Sequence, residues 1–161
     1  MSTDNNIPEV SEYGSVDPAP PFSETDISVL KSILLDENIR MFERMRAIFS
    51  LRNNRSQKAI EILCKAFQSK SALLKHEIAY VLGQMQDSSA VPTLIDILSD
   101  EQEHIMVRHE AAEALGAIGD TSAKPILEIY LSDSNPEISE SCEVALDLMS
   151  ICNNRIENGW E

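Results

Sequence analysis

The chain has 161 residues, 43% of them hydrophobic and 25% charged, which is the size and composition of one soluble domain with enough apolar matter for a core. A net charge of −14 argues against nucleic acid and anionic membrane surfaces as partners, because both would repel the chain. The same charge suits a cationic substrate or metal ions, or serves solubility alone.

Residues 1–22 hold Pro8, Pro18, Pro20 and Pro21, with Asp4, Glu9, Glu12 and Asp17, and the first basic residue is Lys31. A segment so poor in apolar residues offsets little of its ordering entropy. It is expected to be a disordered or extended tail, draped over the body where it is ordered, with the folded domain spanning residues 23–161.

From Ser23 onward apolar residues recur at helical spacing. Ser23 is the expected N-cap of a first helix running to Leu35, with Glu24 and Asp26 in a first turn that favours acids. Breaks are expected at Asn53-Asn54, residues 69–71, Asp87-Ser88-Ser89, Ser99-Asp100 and Asp120-Thr121-Ser122. Aromatics are only 5% of the chain, and the wealth of Leu, Ile, Ala and Glu agrees with an all-α fold.

The segments repeat. Leu74-Lys75-His76-Glu77-Ile78-Ala79-Tyr80-Val81-Leu82-Gly83 matches Val107-Arg108-His109-Glu110-Ala111-Ala112-Glu113-Ala114-Leu115-Gly116 at an offset of 33 residues. Asp87 then pairs with Asp120, Pro92 with Pro125, and Leu98-Ser99-Asp100 with Leu131-Ser132-Asp133. Weaker copies flank these at offsets of 31, carrying Leu51 onto Leu82 and Leu115 onto Leu146. About four helix pairs result, an α-α superhelix in which no repeat buries its apolar face alone. The period is short for HEAT repeats and suits a compact HEAT-like subtype. Pro92 and Pro125 fall in a first helical turn, where a missing N–H costs little, and Asp87 and Asp120 stand where a cap is wanted.

His76-Glu77 and His109-Glu110 carry the candidate chemistry. The flanking repeats have Met45-Arg46 and Glu140-Ser141 instead, so the pair is not needed to build a repeat. Equivalent residues on stacked helices lie side by side, with axes roughly 8–10 Å apart, so two imidazoles can meet at one ion. Neighbours in sequence are rotated by about 100° on a helix, so a His and the Glu that follows it are not expected to share an ion. At least one Glu then points to a second ion or supports the first. Two His and a carboxylate with open positions suit non-haem iron and oxygen chemistry. Four ligands are few for two irons, and a partner supplying the same set would complete the centre.

Rival motifs fail. A zincin needs a second His four residues on, where Tyr80 and Glu113 stand. Cys64, Cys142 and Cys152 lie away from both pairs and form no CxxC, which argues against thiolate zinc and for a reducing, cytoplasmic setting. No apolar run approaches ~20 residues, and no secretory leader is legible. His104 reads as solvated, Met41, Met45, Met85, Met106 and Met149 as core, and Trp160 as loose. Gly83 and Gly116 allow either close helix approach or substrate access.

The strings KHEIAYVLGQMQD and VRHEAAEALGAIGD resemble those of the deoxyhypusine hydroxylases, HEAT-repeat di-iron monooxygenases. The resemblance runs from about Tyr13 to Met149 and is nearest that family's C-terminal half, with residues 13–21 similar to the linker before it. It implies hydroxylation of the deoxyhypusine side chain of translation initiation factor five-A, using Fe(II), a di-iron centre and dioxygen. It implies that His76 and His109 bind one iron, that Glu77 reaches the iron of the other half, and that Glu110 supports the site. The second half is missing, so a second half or a homodimer is the expected partner. The competing expectation is a HEAT-repeat scaffold that binds a protein partner without catalysis.

Overall fold

The computed structural model describes residues 7–23 and 26–157, with side chains to residue 154. Glu24, Trp160 and the first six residues, on which some sequence expectations fell, lie outside the described residues.

Among the described residues, eight α-helices follow one another in four pairs. They are α1 (Ile27–Leu35) with α2 (Met41–Asn54), α3 (Gln57–Lys65) with α4 (Ala72–Met85), α5 (Val91–Ser99) with α6 (Ile105–Ile118), and α7 (Lys124–Tyr130) with α8 (Pro136–Glu157). Each pair sets a short helix against a long one. The long helices α2, α4, α6 and α8 stack in sequence order as one layer. Leu51, Leu63, Leu82, Leu94, Leu115 and Leu127 are all fully or almost fully buried between the layers. The all-α repeat fold read from the sequence therefore holds.

The helix boundaries follow local chemistry. Ser56 and Ser71 accept the N–H groups of Ala59 and Leu74 at the starts of α3 and α4. Asp87 and Asp120 cap short 3-10 turns that run directly into α5 and α7, and Pro92 and Pro125 occupy the first helical turns as expected. Asn53 and Asn54 sit in the last turn of α2 rather than beyond it. The long helices α2, α4 and α6 end in left-handed residues at equivalent places, Arg55, Gln86 and Gly119, and only Gly119 adopts that geometry without a Cβ penalty.

One expectation at the N-terminus needs correction, and one alternative is decided. The N-cap of α1 is Asp26, not Ser23; its carboxylate accepts from the backbone N–H of Ser28, a stronger acceptor than a hydroxyl at that position. The described part of the tail, residues 7–22, is the extended alternative and not the disordered one. Val10 and Val16 form an isolated antiparallel bridge, Ala19 is buried, and Phe22 N–H donates to Ser50 Oγ at 2.8 Å. What composition could not supply is a specific partner. Asp17 pairs with Arg52 at 2.6 Å, and Tyr13 packs on the same guanidinium, 4.5 Å from its ring centre.

Gly83 and Gly116 resolve in favour of close packing. A Cβ on Gly83 would stand 3.1 Å from Ala114 Cα, and one on Gly116 would stand 2.8 Å from Ala145 Cα. These contacts draw α4, α6 and α8 together along the face that carries the His-Glu pairs.

Candidate metal centre

The residue before each His fixes the rotation of its helix. Lys75 reaches forward to Glu103 at 2.8 Å, and Arg108 donates to Leu98 O at 2.9 Å and pairs with Asp133 at 3.3 Å. Arg44 plays the same part on α2, with two bonds to Leu34 O. Each cation is largely buried and tied to a loop, so the next residue on α4 and α6 is aimed along the stack.

His76 and His109 consequently face each other across the α4–α6 seam, with ring centres 6.2 Å apart and planes 28° from parallel. Glu110 lies between them and is the most deeply set of the group, 7% exposed. His76 Nε2 donates to Glu110 Oε2 at 3.0 Å, and His109 Nε2 is 3.6 Å from the same oxygen. One ligand atom each from His76, His109 and Glu110 falls within a 4.8 Å cluster. Donors about 2 Å from an ion lie roughly 3 to 4 Å from one another, so the set fits a cation with little adjustment.

The two Glu residues do not behave alike. Glu77 stays outside the cluster, 3.6 Å from His76 Nδ1. Glu110 swings back over its helix step and meets the same cluster as His109, against the expectation from helical rotation alone. Its three side-chain torsions cover the 100° offset, and the His76 N–H across the seam draws the carboxylate in. His76 Nδ1 is buried and has no hydrogen-bond partner. The Glu110 carboxylate, helped by Glu77, pushes the His76 imidazole up to about 9 against the effect of its burial.

Three neighbours were not anticipated as parts of this site. Ser141 on α8 stands 3.0 Å from His109 Nδ1, and Glu113 Oε1 stands 3.6 Å from the same nitrogen. The sequence signal for Ser141 was its place in the repeat, equivalent to Glu110, which had been read only as loss of the motif. Tyr13, from the N-terminal segment, joins Tyr80, Gln84, Glu110 and Glu113 in lining an open groove of about 450 Å³ beside the cluster. His104 is remote from it. Its Nδ1 accepts the Met106 N–H and caps α6.

Residues 27–105 and 60–147 match the family model described as HEAT repeats. The chain belongs to the HEAT-repeat family. Within that family, it is 51% identical over 141 residues to the deoxyhypusine hydroxylase of Gallus gallus and 49% identical over 147 residues to that of Arabidopsis thaliana. These alignments cover 88% and 91% of this chain and 47% of each relative. A solved structure of human deoxyhypusine hydroxylase in complex with glycerol superposes with a TM-score of 0.85 at 46% identity, over 89% of this chain and 50% of that one. The resemblance read from the two motif strings therefore extends through nearly the whole HEAT-repeat array, and the chain spans about half the length of the curated relatives it matches.

Proposed function

We propose that this HEAT-repeat chain is an iron-dependent deoxyhypusine monooxygenase, or half of one, acting on the deoxyhypusine side chain of translation initiation factor five-A. The observation that carries the reading is the meeting of His76, His109 and Glu110 at one point on adjacent helices, in a chain about half identical to deoxyhypusine hydroxylases. Two imidazoles and one carboxylate are the donor set of non-haem iron oxygenases. The 3.0 Å contact between His76 Nε2 and Glu110 Oε2 supports this reading.

In this proposal His76, His109 and Glu110 hold one iron, and Glu77, splayed away from them, serves a second iron held mainly by another half. That half is a further set of His-Glu pairs from the same polypeptide or a second copy of the chain, and the site corresponds to the C-terminal half of the family. Ferrous iron, when bound, supplies the activation of dioxygen, one atom entering a C–H bond of the substrate and the other leaving as water with two electrons and two protons from a reductant. The chain's own groups position the substrate. Glu113 and Glu110 present negative charge to a cationic polyamine arm lying in the groove, and the Tyr13 and Tyr80 rings offer faces to its ammonium groups. Cys64, Cys142 and Cys152 are free thiols, which supports a cytoplasmic setting, and among the described residues no helix is long and apolar enough to cross a membrane.

Native mass spectrometry after anaerobic ferrous loading, followed by turnover of a deoxyhypusine-bearing factor, tests the proposal. A complex carrying two irons that hydroxylates the substrate supports it. Iron binding without turnover on addition of a second half points to another substrate. No iron at all leaves a protein-binding HEAT-repeat scaffold.

A further inference from the structure

Each His of the site is met by a residue from the next repeat, and by the same repeat position both times. Glu110 follows His109 in its repeat and contacts His76 of the repeat before at 3.0 Å. The offset of 31 that carries Leu115 onto Leu146 carries Glu110 onto Ser141, and Ser141 contacts His109 of the repeat before at 3.0 Å. The fourth repeat has lost the His and kept the contact.

The chemistry of the two contacts differs. Ser141 is 6% exposed, and its only hydroxyl proton is engaged by Glu137 O at 2.6 Å, one turn back on α8. The oxygen is then left to His109 as an acceptor, so His109 Nδ1 must be the donor. Turning the hydroxyl toward the ring would break the 2.6 Å bond. It would also set an Nδ1 lone pair, in place of an N–H, beside Glu113 Oε1 at 3.6 Å. Glu113 beside Nδ1 is matched by Glu110 Oε2 at 3.6 Å from Nε2, so the closer Ser141 oxygen decides which nitrogen keeps the proton.

We infer that Ser141 is a positioning residue that holds the His109 proton on Nδ1 and thereby turns the Nε2 lone pair toward Glu110 and the metal cluster. The inference rests on the metal-centre reading above for its purpose but not for its geometry. A ligating imidazole ordinarily donates its other N–H to a fixed acceptor, which sets both tautomer and ring orientation. His109 takes that acceptor from α8, while His76 has no acceptor within hydrogen-bond distance of Nδ1, only Glu77 at 3.6 Å. The fourth repeat thus belongs to the site although it contributes no ligand.

The test uses the full chain, metal-free, in mildly alkaline buffer where an ordinary imidazole is neutral. Long-range proton–nitrogen NMR of the imidazoles reads the tautomer directly. His109 should carry its proton on Nδ1 in the wild type, move toward a mixture of tautomers in Ser141→Ala, and return in Ser141→Thr, which keeps the hydroxyl. Cobalt(II) titration of the same proteins should show affinity lower by roughly 10- to 100-fold in Ser141→Ala, with recovery in Ser141→Thr. A wild-type His109 protonated on Nε2 overturns the inference, and this measurement needs no variant to fold. An unchanged tautomer or unchanged cobalt affinity in a folded Ser141→Ala protein also overturns it. A wild type that binds no metal sinks the metal-centre reading, and the tautomer result then decides the role of Ser141 alone.

Discussion

Arg52 and Asp17, 35 residues apart in the chain, form an ion pair in which Arg52 Nη2 lies 2.6 Å from Asp17 Oδ2 and the side chains are 0% and 8% exposed. The guanidinium also donates to Gln84 Oε1 and Asn53 Oδ1 and lies against the rings of Tyr13 and Phe49. A charge so enclosed depends on its counter-ion. Asp17→Ala should cost about 3 kcal/mol in urea unfolding, since removing one partner strands a buried charge. Replacing both residues, with Arg52→Met added, should recover much of that loss. A cost well under 1 kcal/mol for Asp17→Ala would mean that residues 7–22 are not part of the cooperative fold.

The glycine contacts predict an order of effects. Ala is the better helix former by about 1 kcal/mol, but its methyl must fit. At Gly116 it would stand 2.8 Å from the Ala145 backbone, a distance that forces α6 and α8 apart. Overpacking of this kind costs about 1–3 kcal/mol, so Gly116→Ala should destabilise on balance. Gly83→Ala, with 3.1 Å to Ala114 Cα, should be closer to neutral. Paired denaturation curves decide it, and equal or reversed effects would contradict the packing account.

Ligand and support residues should separate in metal titrations. His76→Ala, His109→Ala and Glu110→Ala each remove a member of the 4.8 Å cluster and should abolish iron binding by this chain. Glu77→Ala should leave the first iron bound and lower the count in a completed two-iron assembly. His104→Ala should leave iron untouched and cost about 1 kcal/mol of stability, because it deletes only the α6 cap. Iron loss in His104→Ala, or normal loading in His76→Ala, would refute this division.

The pH dependence has opposite signs for folding and for metal binding. His76 is raised from an ordinary ~6.5 to about 9 by the Glu110 and Glu77 carboxylates. A raised folded-state value favours the folded, metal-free protein fully below ~6.5, and this contribution disappears as pH climbs through about 9. A metal must instead displace the same proton. Cobalt(II) affinity should therefore rise roughly tenfold per pH unit toward about 9, where an ordinary imidazole would level off near ~6.5. Isothermal titrations across that range read the slope, and a plateau at neutral pH would contradict a metal displacing a proton held by the raised His76.

The repeat architecture was legible because local chemistry and apolar period agree at every pair. The Leu82–Leu115–Leu146 register, the Asp87 and Asp120 caps and the Pro92 and Pro125 starts are each local signals, and they recur at spacings of 33 or 31 residues. The four candidate residues were legible for the same reason, since two unusual dipeptides stood in equivalent places.

The N-terminal segment was only half legible. Its composition argues for an unfolded tail, and the outcome turned on Asp17 finding Arg52, a partner that composition does not register. The start of α1 likewise differed, because Asp26, read as a first-turn acid, is the residue whose side chain caps the helix.

By itself, the sequence determined an all-helical stack and the placing of two His-Glu pairs on neighbouring helices, because helical period and repeat spacing are properties of the chain. Only the tertiary structure decided that Glu110 joins both imidazoles while Glu77 does not, and that Ser141, from a repeat without the motif, anchors His109. Those outcomes depend on side-chain torsions and on how closely α4, α6 and α8 approach at Gly83 and Gly116, distances that no period encodes.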